Sequence, residues 1–132
     1  MATEYEQYLA KAQESLDSGR ADLAAGRHNS AANRAYYAAF QAAVALLVAF
    51  DIRPKRNSWE HKFVHAQLSG KLIVRRKAFP AKFRTTLVWL LDTRVVADYR
   101  PQPVKRSDAQ KAVREASEFT AEVTTRLRER KL

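Results

Sequence analysis

Three glycines and four prolines are all that interrupt 132 residues, and between them apolar side chains recur at the three-and-four spacing of helices buried along one face. The pattern predicts an all-α protein, an up-and-down bundle of about five helices forming one domain over residues 1–132. A chain of this length buries roughly two thirds of the surface it exposes when unfolded, so it needs neither disulfide nor metal to fold.

The segments follow from the spacing and its breaks. The first, about Glu4 to Ala25, carries Tyr5, Tyr8, Leu9, Ala12, Leu16 and Leu23 on one side and is expected to stop at Gly26. Asn29 or Ser30 is placed to cap the second, which runs to about Phe50. It stacks Tyr36, Phe40, Val44 and Leu47, while its many alanines allow neighbours to approach closely. Asp51 to Ser58, with Pro54 and three basic residues, reads as a loop, and Ser58 stands where it would cap a third helix from Trp59 to about Leu72. Arg75, Arg76 and Lys77 form a basic link. Pro80 suits the first turn of a fourth helix that continues to Tyr99, where Pro101 and Pro103 end it. Ser107 with Asp108 opens the fifth, which turns Ala109, Ala112 or Val113, Ala116, Phe119, Val123 and Leu127 inward and ends in a basic tail from Arg126 to Lys131.

Composition narrows the function. The absence of cysteine rules out thiolate metal sites and thiol redox chemistry, and no cofactor or metal is expected. No apolar run reaches the roughly 20 residues that span a bilayer, and the acidic amino terminus is not that of a signal peptide, so a cytoplasmic address is expected. The net charge of +10 is concentrated: fourteen Lys and Arg lie between Ile52 and Arg106, against Glu60, Asp92 and Asp98. A basic middle of this kind points to a polyanion, RNA or DNA ahead of an acidic membrane, because no basic amphipathic helix with large apolar residues accompanies it. Lys55, Arg56, Arg75, Arg76 and Lys77 are the candidate phosphate contacts.

One residue breaks the core pattern. Phe83, Leu87, Leu90 and Leu91 line one face of the fourth helix, and the next members of that series are Arg94 and Asp98. A half-buried guanidinium costs several kcal/mol unless it is paired. Asp98, four residues on, can reach it. Two readings fit: a structural ion pair that closes the helix end, or an anion site, since arginine offers a planar fork of donors suited to phosphate. Asn33, on the stripe of Tyr36 and Tyr37, is expected to join Arg94, Asp98 and Tyr99 in one polar network between the second and fourth helices. The two tyrosines read as core residues whose hydroxyls need a buried partner, Arg94 or Asp98. His61 and His65, four apart, share one helix face. Glu60 precedes the pair, unlike the zinc-protease pattern, and packing, capping or phosphate contact is the expected role.

Three stretches carry a family resemblance. Asn33-Arg34-Ala35-Tyr36-Tyr37-Ala38-Ala39-Phe40, leading into an alanine-rich helix, resembles the second helix of small prokaryotic HEPN-domain proteins. Arg94-Val95-Val96-Ala97-Asp98-Tyr99-Arg100-Pro101 resembles the end of their fourth helix, and His61-Lys62-Phe63-Val64-His65 followed by Leu68 is similar to their third-helix region. Together these cover roughly Arg27 to Pro101, in order. The resemblance implies a HEPN-like bundle, commonly a homodimer, with the fourth-helix arginine facing a cleft near the dimer axis. It also implies a toxin–antitoxin setting, in which members cleave RNA without a metal or are encoded beside a minimal nucleotidyltransferase. The family signature is an arginine followed four to six residues later by a histidine. Arg94 matches its first half; Tyr99 stands where the histidine is expected, and no histidine follows His65.

The departure bears on catalysis. Metal-free RNA cleavage needs a base for the ribose 2′-hydroxyl, an acid for the leaving oxygen and a cation for the phosphorane. Arg94 can be the cation, but a tyrosine with a pKa of about 10 is a poor base at neutral pH. The residues therefore predict a dimeric RNA-binding protein that is at best a weak or degenerate ribonuclease, with Arg94, Tyr99, Asp98 and Asn33 at its site. The rival reading is an interaction subunit that binds a minimal nucleotidyltransferase and offers Tyr99 as its acceptor, as a tyrosine near this motif does in some relatives.

Overall fold

The computed structural model describes residues 1–56 and 58–130, so Lys131 of the predicted basic tail lies outside the described residues. Five α-helices, α1 (Glu4–Ala24), α2 (His28–Ala49), α3 (His61–Gln67), α4 (Thr86–Tyr99) and α5 (Arg106–Arg130), follow one another with no strand among the described residues.

A reciprocal capping box starts α1: Glu6 N donates to Thr3 Oγ1, and Thr3 N donates to the Glu6 carboxylate at 3.1 Å. Gly26, at φ +77°, turns the chain into α2. At Gly19 α1 lies close to α2: a Cβ there would be in van der Waals contact with Arg34 Cβ at 3.4 Å and the Ala31 carbonyl at 3.5 Å. At the centre, α2 contacts α1, α3, α4 and α5, and Ala31, Ala35, Ala38, Ala39, Ala42 and Ala45 are wholly buried along it. The small side chains bring neighbouring backbones close on both sides. Against α2, α5 buries the apolar residues expected of it, Ala112 and Val113 both among them.

Several expected boundaries move, each for a local reason. Asn29 does not cap α2. Its Oδ1 accepts a hydrogen bond from Val104 N at 2.9 Å and so fastens the segment before α5 to the start of α2. Likewise Ser58 is not a cap, and α3 begins at His61. After about two turns the chain widens into a π-helical stretch, Leu68–Arg75, which buries Leu68, Leu72 and Ile73. Arg75 therefore ends a helix instead of lying in a link. Pro80 does not open α4 either: at ψ 138° it is extended and leads a single 3₁₀ turn, Ala81–Phe83. That turn places Phe83 against Phe79 and Phe119, with ring centroids 5.2 and 5.6 Å away, before α4 starts at Thr86. Along α4 only Thr86, Leu87 and Leu90 are fully buried.

Candidate functional site

Where α2, α3 and α4 meet, polar side chains gather around Arg94. Its side chain is only 12% exposed and lies 3.5 Å from Asp98, one turn along α4. Arg94 Nη1 donates to Tyr37 Oη at 2.7 Å, and Asn33 Nδ2 reaches both carboxylate oxygens of Asp98, at 3.1 and 3.2 Å. The guanidinium carbon stands 5.4 to 5.9 Å from the ring centres of Tyr36, Tyr37 and Tyr99. Three rings thus surround the cation, each contributing cation–π attraction of order 1 kcal/mol. Arg94 Nε is buried and has no partner among the described residues. Its carboxylate is shared with Asn33.

The expected network is thus present for Asn33, Asp98 and Arg94, whereas Tyr99 contributes its ring face and is 70% exposed. The two tyrosines divide their partners differently from the expectation. Tyr37 bonds Arg94. Tyr36, fully buried, bonds neither Arg94 nor Asp98; its hydroxyl lies within hydrogen-bond distance of His61 Nδ1 and, at 3.0 Å, of His65 Nε2. The shared face of the histidine pair was visible from their four-residue spacing; that it meets Tyr36 depends on how the loop after α2 brings α3 back. A fully buried tyrosine on the α2 stripe, lacking a carboxylate one turn away, was the available signal.

Burial sets the titration of these groups. It raises the Tyr36 hydroxyl far above the ordinary tyrosine range, against the opposing pull of Arg94. Burial first, and then the charge of Arg94, lowers the pKa of His61 below 6.5. Burial and then His61 lower that of His65. Both rings are therefore neutral at pH 7. Because the unfolded chain binds these protons more readily, stability is full above about pH 6.5 and declines as pH falls through the lowered folded-state values. Urea midpoints at pH 7.5 and 5.5 should show this loss, and His65→Gln should shrink it; a rise in stability on acidification contradicts the assignment.

Lys55, Arg56, Arg75, Arg76 and Lys77 are all exposed, and none shares a hydrogen bond, ion pair or ring contact with the Arg94 cluster. Arg76 and Arg130 instead flank the Phe50 ring, at 5.7 and 4.1 Å. Among the described residues no three His, Cys, Asp or Glu side chains gather as a metal-ligand set, and no helix is long and apolar enough to cross a membrane.

An all-helical bundle with a single arginine set among aromatic rings between its second and fourth helices defines the class. Residues 5–128 match the HEPN domain, and the chain belongs to that family. No curated protein matches it.

Proposed function

We propose that this HEPN-domain protein binds RNA, holding a backbone phosphate at Arg94, and acts as a homodimer within a toxin–antitoxin type module. The observation that carries the reading is the setting of Arg94: a guanidinium among three aromatic rings where α2 and α4 meet, with one carboxylate at 3.5 Å that is already shared with Asn33. The basic middle of the chain supplies the long-range attraction, and the module assignment rests on the family resemblance.

Neutralising any three of Lys55, Arg56, Arg75, Arg76 and Lys77 should weaken binding evenly across RNA sequences and flatten its salt dependence by roughly 0.7 to 1 unit per lost contact. Fluorescence anisotropy between low and moderate salt reads this directly. An unchanged slope means the charge serves solubility.

The alanine-rich face of α2 gives no reason for a dimer, since α1 and α5 cover it within one copy. The outer side of α4 is the open one, with Val88 49% and Tyr99 70% exposed. A second copy seated there would place two Arg94 clusters near one axis. Light scattering at micromolar concentration should give twice the monomer mass, and Val88→Glu should halve it.

The exposure of Tyr99 favours one second reading, a partner nucleotidyltransferase using its hydroxyl as acceptor. Nucleotide transfer onto the protein should then vanish in Tyr99→Phe, while RNA binding at Arg94 survives.

A further inference from the structure

Along α2 from Ala32 to Val48 every residue is buried except Asn33, Arg34, Tyr37 and Gln41. These four form one open stripe with two sides. Asn33 and Tyr37 belong to the Arg94 cluster, whereas Arg34 and Gln41 turn toward α1. There, with Lys11, Glu14, Ser15 and Ser18, they line a groove of about 230 Å³, room enough for one purine base. Tyr37 joins the two sides. Its hydroxyl accepts from Arg94 Nη1, and its carbonyl lies 3.1 Å from the side-chain nitrogen of Gln41. That nitrogen, oriented by the acceptors around it, also reaches the Lys11 carbonyl at 3.0 Å and Ser15 Oγ at 2.7 Å, so the groove is tied to both helices.

The groove is chemically mixed. Lys11, Glu14 and Arg34 are exposed, and among the described residues none of the three side chains shares a hydrogen bond or ion pair. A guanidinium and a carboxylate left unpaired in one groove do not suit a bare phosphate, which Glu14 repels. They suit a group with acceptors along one edge and donors along the next. Guanine is such a group: O6 and N7 accept from an arginine fork, and N1–H and the 2-amino group donate to a carboxylate, each edge in a pair. Adenine turns its amino donor toward the guanidinium in place of O6, and pyrimidines have no N7.

We infer that the groove between α1 and α2 reads a guanine base of single-stranded RNA, with Arg34 at O6 and N7 and Glu14 at N1–H and the 2-amino group, across Tyr37 from the phosphate held at Arg94. The inference rests on the RNA-binding reading and adds base selectivity to it. A paired guanine has N1–H and its 2-amino group engaged by cytosine and its other edge sunk in the narrow groove of the RNA duplex, so the site selects unpaired bases. Lys11 contributes attraction for a flanking phosphate.

Fluorescence anisotropy of the full chain with oligouridylate strands altered at one position tests this. A single guanine should tighten binding about 10-fold relative to adenine or cytosine at that position. Inosine, which lacks only the 2-amino group, and 7-deazaguanine, which lacks N7, should each lose about 3-fold or more of that gain. In Glu14→Ala guanine and inosine should bind alike, and in Arg34→Ala guanine and 7-deazaguanine should bind alike. Affinity of both variants for plain oligouridylate should stay within about 3-fold, and their urea midpoints should not move, because both side chains are exposed and unpaired. Equal binding of the guanine, adenine and cytosine strands, or a guanine preference that survives both variants, overturns the inference and leaves the Arg94 reading standing. Guanosine monophosphate that displaces the guanine strand as well as the strand itself does would make the groove a free-nucleotide site and overturns the inference too. Failure of the unaltered chain to bind any strand overturns it together with the binding reading.

Discussion

Arg94→Ala is expected to lower RNA affinity by about 10- to 100-fold, the range that follows from losing charge-assisted hydrogen bonds of roughly 1.5–3 kcal/mol. The same substitution should cost about 1–2 kcal/mol of stability, below the roughly 3–5 typical of breaking a buried ion pair. The difference has a structural cause. Asp98 keeps both bonds from Asn33, and its side chain is 27% exposed, so water solvates what Arg94 leaves. Tyr37 loses its hydroxyl partner, and three rings lose a cation. Arg94→Lys retains the charge but not the fork and should fall between. Anisotropy and urea denaturation on the same preparations separate the outcomes: a large stability loss with unaltered affinity would make Arg94 a structural residue only.

Phe119→Ala carries the largest stability effect, about 3–5 kcal/mol. Phe119 is fully buried and meets Phe79 and Phe83 edge-on, at 5.3 and 5.6 Å. These two rings anchor the segment that leads into α4, so the cavity would loosen the approach to the helix that carries Arg94. Against total stabilities of order 5–15 kcal/mol, this is a major fraction. The urea midpoint should drop sharply, and RNA affinity per folded molecule should change little. A cost under about 1 kcal/mol would mean that the three rings do not form the rigid end of the bundle.

Much of this architecture is written in residue spacing. The stripes of α2 and α5 are read off at period 3.6, and Arg94, Asp98 and Asn33 stand out because polar groups interrupt apolar stripes. What escapes has physical reasons. Pro80 has the φ of a helix start, yet its ψ is extended where Phe83 packs against Phe79 and, edge-on, against Phe119, a partner distant in sequence. The π-helical stretch after Gln67 has no spacing signal that separates it from an α-helix. Asn29 looks like a cap and instead holds Val104, a choice made by the return of the chain from α4. The contact of His61 and His65 with Tyr36 likewise joins residues 25 and 29 positions apart across a loop whose path no local pattern fixes.

The central claim is that Arg94 takes an RNA phosphate. It is tested most directly by following the Arg94 Nε–H resonance in two-dimensional NMR while a short single-stranded oligoribonucleotide is added. The account predicts that this resonance shifts in a saturable way, that those of the His61 and His65 rings move at the same RNA concentration, and that added salt reverses all three. Saturable RNA binding that perturbs only exposed lysines and arginines, and leaves the Arg94 resonance in place, would contradict it.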